Sequence, residues 1–153
     1  MASWNSTTTL LKQVFLCFFM MTKVQKLRQS AFQRQNGCCF YCGNPMWERR
    51  QASLFGQQHP LPPSLLDLCQ STAEHLQAKQ DGGKDSRNNI AAACKYCNAI
   101  RHQGRTGQAP SPDTHKAQIR ARAKRGQGHP AWLVLNQAKA WKVIPIASQA
   151  VEH

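Results

Sequence analysis

Apolar positions in this chain fall into short, separate patches, and their spacing changes from patch to patch. Val24, Leu27, Ala31 and Phe32 recur at helical spacing, with Lys23, Lys26, Arg28 and Arg34 on the other faces. This predicts a helix over Lys23 to Gln35, capped by Thr22 and stopped at Asn36-Gly37. Thr72 to Ala78 and Asn89 to Ala93 read as two strands, with Gly82-Gly83 in the loop between them. From Cys97 a helix begins or continues, carrying Asn98 and Arg101. Asp113 is placed to cap a further helix over Thr114 to Arg125, with Gly126 as its stop. Trp132, Leu133, Val134, Leu135 and Trp141 form a last apolar patch, read as core, and the end from Ser148 is expected to fray.

Two stretches interrupt this order. Residues 1–20 begin with polar chain, and Val14 to Met21 is then continuously apolar. That run is far short of the roughly twenty residues a membrane-spanning helix needs. It also lacks the basic start and small-residue cleavage site of a signal peptide. The pattern becomes coherent at Met21, so residues 1–20 are expected to be an extension upstream of a natural start at Met21. The competing expectation is a short element packed on the core. Residues 44–70 are broken by Pro45, Pro60, Pro62 and Pro63, with Ser64 as a cap for a short turn through Leu65, Leu66 and Leu68. They read as a surface insertion, and His59, in its polar loop, is not expected to be a ligand. The layout is thus one domain: an extension at 1–20, a core at 21–110 carrying the insertion 44–70, and a basic helical region at 111–153. No internal repeat is evident.

Charge sharpens the picture. Twenty Lys and Arg against seven Asp and Glu give a net charge of +13, which attracts polyanions, above all nucleic acid. The Thr114 to Arg125 helix carries Lys116, Arg120, Arg122, Lys124 and Arg125 and has only Ile119 and alanines to bury, so it is a candidate phosphate-binding face. A merely solvated face is the alternative. Hydrophobic content of 41% and aromatic content of 8% allow only a small core, which a metal clamp would help to fold.

The cysteines supply such a clamp. Four of the seven form Cys39-x-x-Cys42 and Cys94-x-x-Cys97, a pattern suited to a tetrahedral metal rather than to a disulfide framework, and hence to a reducing compartment. Together they would make a closed, structural four-thiolate zinc site. Cys38 could stand in for Cys39, though Cys39 has the two-residue gap to Cys42; Cys17, Cys38 and Cys69 otherwise read as ordinary buried thiols. Residues 43–93 lie between the pairs, far more than the roughly 15–20 of a compact zinc ribbon. The intervening chain must therefore fold as a unit whose ends meet.

Glu74-His75, Gly82-Gly83, Asn89 and Cys94-Lys95-Tyr96-Cys97-Asn98, preceded by Cys39-x-x-Cys42, together resemble the HNH nucleases (His-Me finger proteins). The resemblance covers about Thr22 to Gln103 apart from the insertion. It implies an α+β fold, with a small ββα-metal core, flanking helices and a pair of zinc knuckles. By that resemblance Glu74 and Asn98 hold a catalytic divalent cation and His75 is the general base. Asn89 ties the loop and helps to orient His75, and Arg101 stands near the phosphate. Glu74 departs from the family's usual Asp by one methylene, which points to an altered metal preference. His102, next to Arg101, could add a ligand or a phosphate contact, but reads first as a surface histidine.

The implied chemistry requires such a set. A cation offsets the charge that repels a nucleophile from a phosphodiester. A near-neutral histidine can take a proton from water at working pH. Oxygen ligands suit Mg²⁺ or Mn²⁺ rather than a second zinc. Adjacent strand residues face opposite ways, so Glu74 and His75 serve one phosphate only if the strand ends or bends there. The expectation is a metal-dependent endonuclease acting on DNA, most simply double-stranded, in a bacterial or phage-infected cytoplasm. The alternatives are a non-catalytic zinc-stapled nucleic-acid-binding module and a structural zinc protein docked to a larger assembly.

Overall fold

The computed structural model describes residues 21–103 and 107–137. Residues 1–20, Trp141 and the chain end lie outside the described residues, and so do the expectations attached to them. The first helix, α1, runs Lys23–Arg34. Thr22 and Gln25 close a reciprocal capping box at its start, each side chain accepting from the other's backbone N–H at 3.3 and 3.0 Å. Asn36 and Gly37, both at positive φ, turn the chain away from the helix. Gln35 lies just past its end, and its side chain turns to the sheet.

That sheet is one antiparallel pair, β1 (Ser71–His75) and β2 (Ile90–Cys94), registered Ser71 against Cys94 and His75 against Ile90. β2 is buried along its whole length. Its three alanines are poor strand formers, but their small side chains let neighbours come close. The outer edge of β2 is sealed: Ala92 O accepts from Gln35 Nε2 at 2.7 Å and Phe40 N at 3.0 Å, and Ala92 N donates to Gln35 Oε1 at 2.9 Å. Helix α1 and the Cys39-x-x-Cys42 turn are thereby fixed to the strand.

β1 is shorter than the sequence predicts and β2 is shifted by one residue, and polar side chains explain where β1 stops. Beyond β1, the carbonyls of His75 and Leu76 go to Arg101, and the backbone of Gln77 goes to the side chain of Asn89. Ladder bonding stops where those groups are diverted.

Residues 44–70 are more than a surface insertion. They contain a 3₁₀ turn (Arg49–Gln51), α2 (Ala52–Gln58) and α3 (Pro63–Leu68). Phe55 and Cys69 from this stretch join Ala131 and Leu135 in a second small core, flanked by Trp47, Leu61, Leu65 and Leu66. The first core gathers Ala31, Tyr41, Met46, Ala92, Ala93, Ile119 and the buried cysteines. Of the last apolar patch Leu135 is core, whereas Trp132 is exposed. Pro63, not Ser64, opens α3, because its fixed φ and missing N–H suit the first helical position.

Helix α4 (Lys95–His102) follows β2 directly, and α5 spans Pro112–Lys124. Its cap is Ser111, whose Oγ accepts from Thr114 N at 3.2 Å, rather than Asp113. Pro112 takes the first helical position and the cap lies two residues back from Asp113, which is left in the first turn. The described chain ends in α6 (Trp132–Gln137). Among the described residues no helix is long and apolar enough to cross a membrane.

Candidate active site

The sulfurs of Cys39, Cys42, Cys94 and Cys97 lie within 4.8 Å of one another. A tetrahedral zinc thiolate site needs its sulfurs about 3.8 Å apart, and Cys42 Sγ and Cys94 Sγ are 3.9 Å apart. The four cysteines are positioned to form a metal site, and four sulfurs are the donor set of a closed zinc site. The surrounding backbone fits as well, since Cys94 N donates to Cys39 Sγ at 3.3 Å and Cys97 N to Cys94 Sγ at 3.4 Å. Burial pushes the Cys39 thiol up, but hydrogen bonds from Cys42, Cys94 and Cys97 outweigh it and bring it well below its ordinary value. Those same bonds hold Cys94 and Cys97 far above theirs. A divalent ion binds thiolates, so occupying this site would release thiol protons. Cys38 stands apart, its Sγ 3.6 Å from Asn36 O.

Directly after the second knuckle pair, α4 presents Asn98 and, one turn on, His102 to the end of β1. Together with Ala73, Glu74, His75, Ala78, Lys79 and Gln80 they line an open pocket of about 270 Å³. Glu74 and His75 are the last two residues of β1, and both line this one pocket at the strand's end.

Glu74 is fully buried. Its Oε1 takes the guanidinium of Arg101, the hydroxyl of Tyr41 at 3.3 Å and a contact from His102 Nε2 at 3.3 Å. Among the described residues, Oε2 is buried with no hydrogen-bond partner. A carboxylate oxygen left in that state is costly unless something positive meets it. Asn98 is oriented in a complementary way: its Nδ2 donates to Thr72 Oγ1 at 2.9 Å and Ala73 O at 3.3 Å. The amide nitrogen is thus occupied by protein, and the oxygen is left to the pocket. One carboxylate oxygen and one amide oxygen fit a hard divalent cation.

His75 stands at the rim with its side chain about one-fifth exposed, and its Nε2 lies 2.7 Å from Asp85 Oδ1. Asp85 also meets Lys79 Nζ at 3.3 Å. The hydrogen bond to His75, aided by Lys79, holds the Asp85 carboxyl below its ordinary value. Asn89 pins the loop that delivers Asp85: its Oδ1 accepts from Gln77 N at 2.8 Å, and its Nδ2 donates to Gln77 O at 3.1 Å and Lys84 O at 3.0 Å. Gly83 is required for the same fold, because a Cβ there would sit 1.9 Å from Gln77 O.

A comparison with protein families bears on this strand-loop-strand-helix segment. Residues 66–104 match the family model for HNH endonuclease. The matched segment spans β1, the loop, β2 and α4, and so contains Glu74, His75, Asn89, both cysteines of the second knuckle and Asn98. The mixed fold, with its two-stranded antiparallel sheet followed by a helix, is consistent with a small ββα HNH core. No curated protein and no solved structure matches the chain.

Around this pocket several expected roles shift. Arg101 does not face solvent: it is 2% exposed, and its guanidinium serves Glu74, His75 O, Leu76 O and Pro110 O. The phosphate contact expected of Arg101 therefore gives way to a buried ion pair. The side chain of Asn89 bonds within the loop, and the His75 ring donates to Asp85 rather than meeting Asn89. His102 belongs to the pocket rather than to a featureless surface. On α5, Arg120, Lys124 and Arg125 are exposed and Lys116 and Arg122 half-buried, with Lys116 Nζ 4.6 Å from the Phe40 ring centre. His59 is buried beside Phe55, away from the pocket. The sequence reading missed Asp85 and Tyr41. An acidic residue just past the glycine pair was the available signal for Asp85, and nothing in the pattern marked Tyr41.

Proposed function

We propose that the protein is a metal-dependent HNH endonuclease that hydrolyses DNA phosphodiester bonds. The observation that carries this reading is the shared pocket lined by Glu74, His75 and Asn98 within a family-matched segment. Glu74 and Asn98 would hold Mg²⁺ or Mn²⁺, which when bound supplies charge stabilisation at the scissile phosphate and leaving oxygen. His75 accepts a proton from water as the new O–P bond forms. The P–O3′ bond breaks with its electron pair on the 3′ oxygen, which takes a proton from solvent water, leaving 5′-phosphate and 3′-hydroxyl ends. The four-cysteine site holds structural zinc and keeps α4 docked on the sheet. Arg120, Lys124 and Arg125, with Lys116 and Arg122 beside them, give the duplex backbone a basic face. A bacterial or phage-infected cytoplasm is the setting that suits four reduced, zinc-binding cysteines and a DNA substrate.

A non-catalytic nucleic-acid-binding module is the second reading. The Arg101–Glu74 ion pair favours it, since a carboxylate already neutralised by a guanidinium attracts a cation less strongly. Plasmid cleavage by wild type and His75→Ala, with Mg²⁺, Mn²⁺ or chelator, separates the two. The enzyme reading expects cutting by wild type alone, dependent on metal, with His75→Ala folded and zinc-loaded. Equal cutting by His75→Ala removes the assigned base, and no cutting by either favours the binding module.

A further inference from the structure

The pairing of His75 with Asp85 has no place in the roles above, yet it determines which ring nitrogen can act. Nε2 of His75 lies 2.7 Å from Asp85 Oδ1, whereas Nδ1 makes no hydrogen bond to another described residue. A carboxylate can only accept, so Nε2 must carry the proton. Asp85 is itself held: Lys79 Nζ lies 3.3 Å from Oδ2, and the loop behind it is clamped by Asn89 and by the close approach of Gly83 to Gln77. We infer that Asp85 is a positioning residue that locks the His75 ring in its Nε2–H tautomer and leaves Nδ1 as the nitrogen that receives the proton from water.

This rests on the nuclease reading and sharpens it. In neutral imidazole one nitrogen donates and the other accepts, and free in water the ring exchanges between the two forms. A base in the wrong tautomer has its lone pair pointing away from the water. Fixing the ring through an acceptor on the far nitrogen removes that loss and also sets the ring's angle over the pocket.

The two replacements of Asp85 differ in a useful way. Asp85→Ala removes the acceptor and lets the ring rotate and exchange. Asp85→Asn keeps the shape, but Lys79 draws the amide oxygen, so the NH₂ group turns to Nε2 and favours the opposite, Nδ1–H tautomer.

The test uses full-length, zinc-loaded protein with ¹⁵N-labelled histidine. Two-bond ¹H–¹⁵N correlations read the tautomer, and His75→Ala identifies the signal. Wild type should show Nε2–H, Asp85→Ala a mixture and Asp85→Asn mainly Nδ1–H. In plasmid cleavage, Asp85→Ala should lower kcat roughly 10–100-fold with KM unchanged, as loss of a supporting hydrogen bond commonly does, and Asp85→Asn should lower it further. An Nδ1–H or evenly mixed ring in wild type, or wild-type kcat in Asp85→Ala, overturns the inference. Should wild type fail to cut at all, the nuclease reading falls, while the NMR arm still decides the hold of Asp85 on the ring.

Discussion

The hydroxyl of Tyr41 lies 3.3 Å from Oε1 of Glu74, so a residue inside the first sulfur knuckle touches the pocket's buried carboxylate. The Tyr41 ring packs edge-on against His115 of α5 at 4.6 Å, and His115 Nε2 is 3.0 Å from Cys97 O. Both knuckles, the basic helix and the pocket carboxylate therefore meet in one buried contact chain. Burial, with the Glu74 carboxylate beside it, pushes the Tyr41 phenol far up, so it stays protonated and donates. The sulfur cluster is thus a jig for the pocket as well as a staple.

Tyr41→Phe tests that link while keeping the ring. Loss of a buried hydrogen bond to a charged acceptor should cost about 1.5–3 kcal/mol of stability. It should also raise the Mg²⁺ needed for half-maximal cleavage by roughly tenfold, because Glu74 loses one of the groups that orient it. Zinc content should be unchanged. Denaturant melts and a Mg²⁺ titration check both effects, and wild-type behaviour in both would mean that the contact carries no load.

Arg101 gives a larger effect. It is buried against Glu74, and its remaining donors satisfy three backbone carbonyls, so Arg101→Ala strips a buried carboxylate of its guanidinium counter-charge and each of those carbonyls of a donor. The expected loss is about 3–5 kcal/mol. Arg101→Lys should recover only part of it, since an ammonium cannot reproduce the planar fork. If Arg101 instead served DNA from the surface, Arg101→Ala would melt like wild type and weaken only binding. Thermal melts of the two variants decide between these outcomes.

How much of this was legible depends on what each residue touches. The helix over 23–34 was readable because its cap, apolar face and stop are local signals. The four-cysteine cluster was readable because Cys-x-x-Cys spacing aims two sulfurs at one point wherever the chain brings the pairs together. Arg101 was misplaced because sequence spacing marks a position near the pocket, not which way a side chain turns, and its partners at 74–76 and 110 come from separate elements. Residues 44–70 read as surface because prolines hid a core that needs Ala131 and Leu135 to complete it. Asp85 gained its meaning only once the loop closed on His75.

The sulfur site predicts an all-or-none response. Cys94 closes β2, caps α4 through its sulfur and belongs to the cluster. A structural zinc supplies on the order of 10 kcal/mol of folding free energy, comparable to the whole stability of a domain this size. Cys94→Ser should abolish both zinc content and the far-ultraviolet circular dichroism of the folded state. Cys38→Ser should retain both, because its sulfur stands outside the cluster.

The basic face of α5 predicts a dependence on salt. If Lys124 and Arg125 each neutralise one phosphate, replacing either by Ala should reduce the slope of log affinity against log salt by about 1. Binding should weaken to a similar degree across unrelated DNA sequences. Binding isotherms at several salt concentrations with His75→Ala protein avoid cleavage during the measurement. An unchanged slope would make this a solvated face that DNA does not touch.

Acid should loosen the second core through His129. Burial pushes this histidine below its ordinary value, against a smaller opposing effect from the carbonyl of Leu68. Its Nδ1 accepts from Ala131 N at 3.0 Å, which only the neutral ring can do. Between the lowered folded value and the ordinary value near 6.5, the unfolded chain binds more protons than the folded one, so stability rises with pH across that interval. His59, also lowered by burial, acts with the same sign. Melting temperature should therefore fall as pH drops from about 7.5 through the ordinary histidine range. His129→Gln should be less stable at neutral pH and show a flatter slope. A slope as steep in His129→Gln as in wild type would place the acid sensitivity in another group.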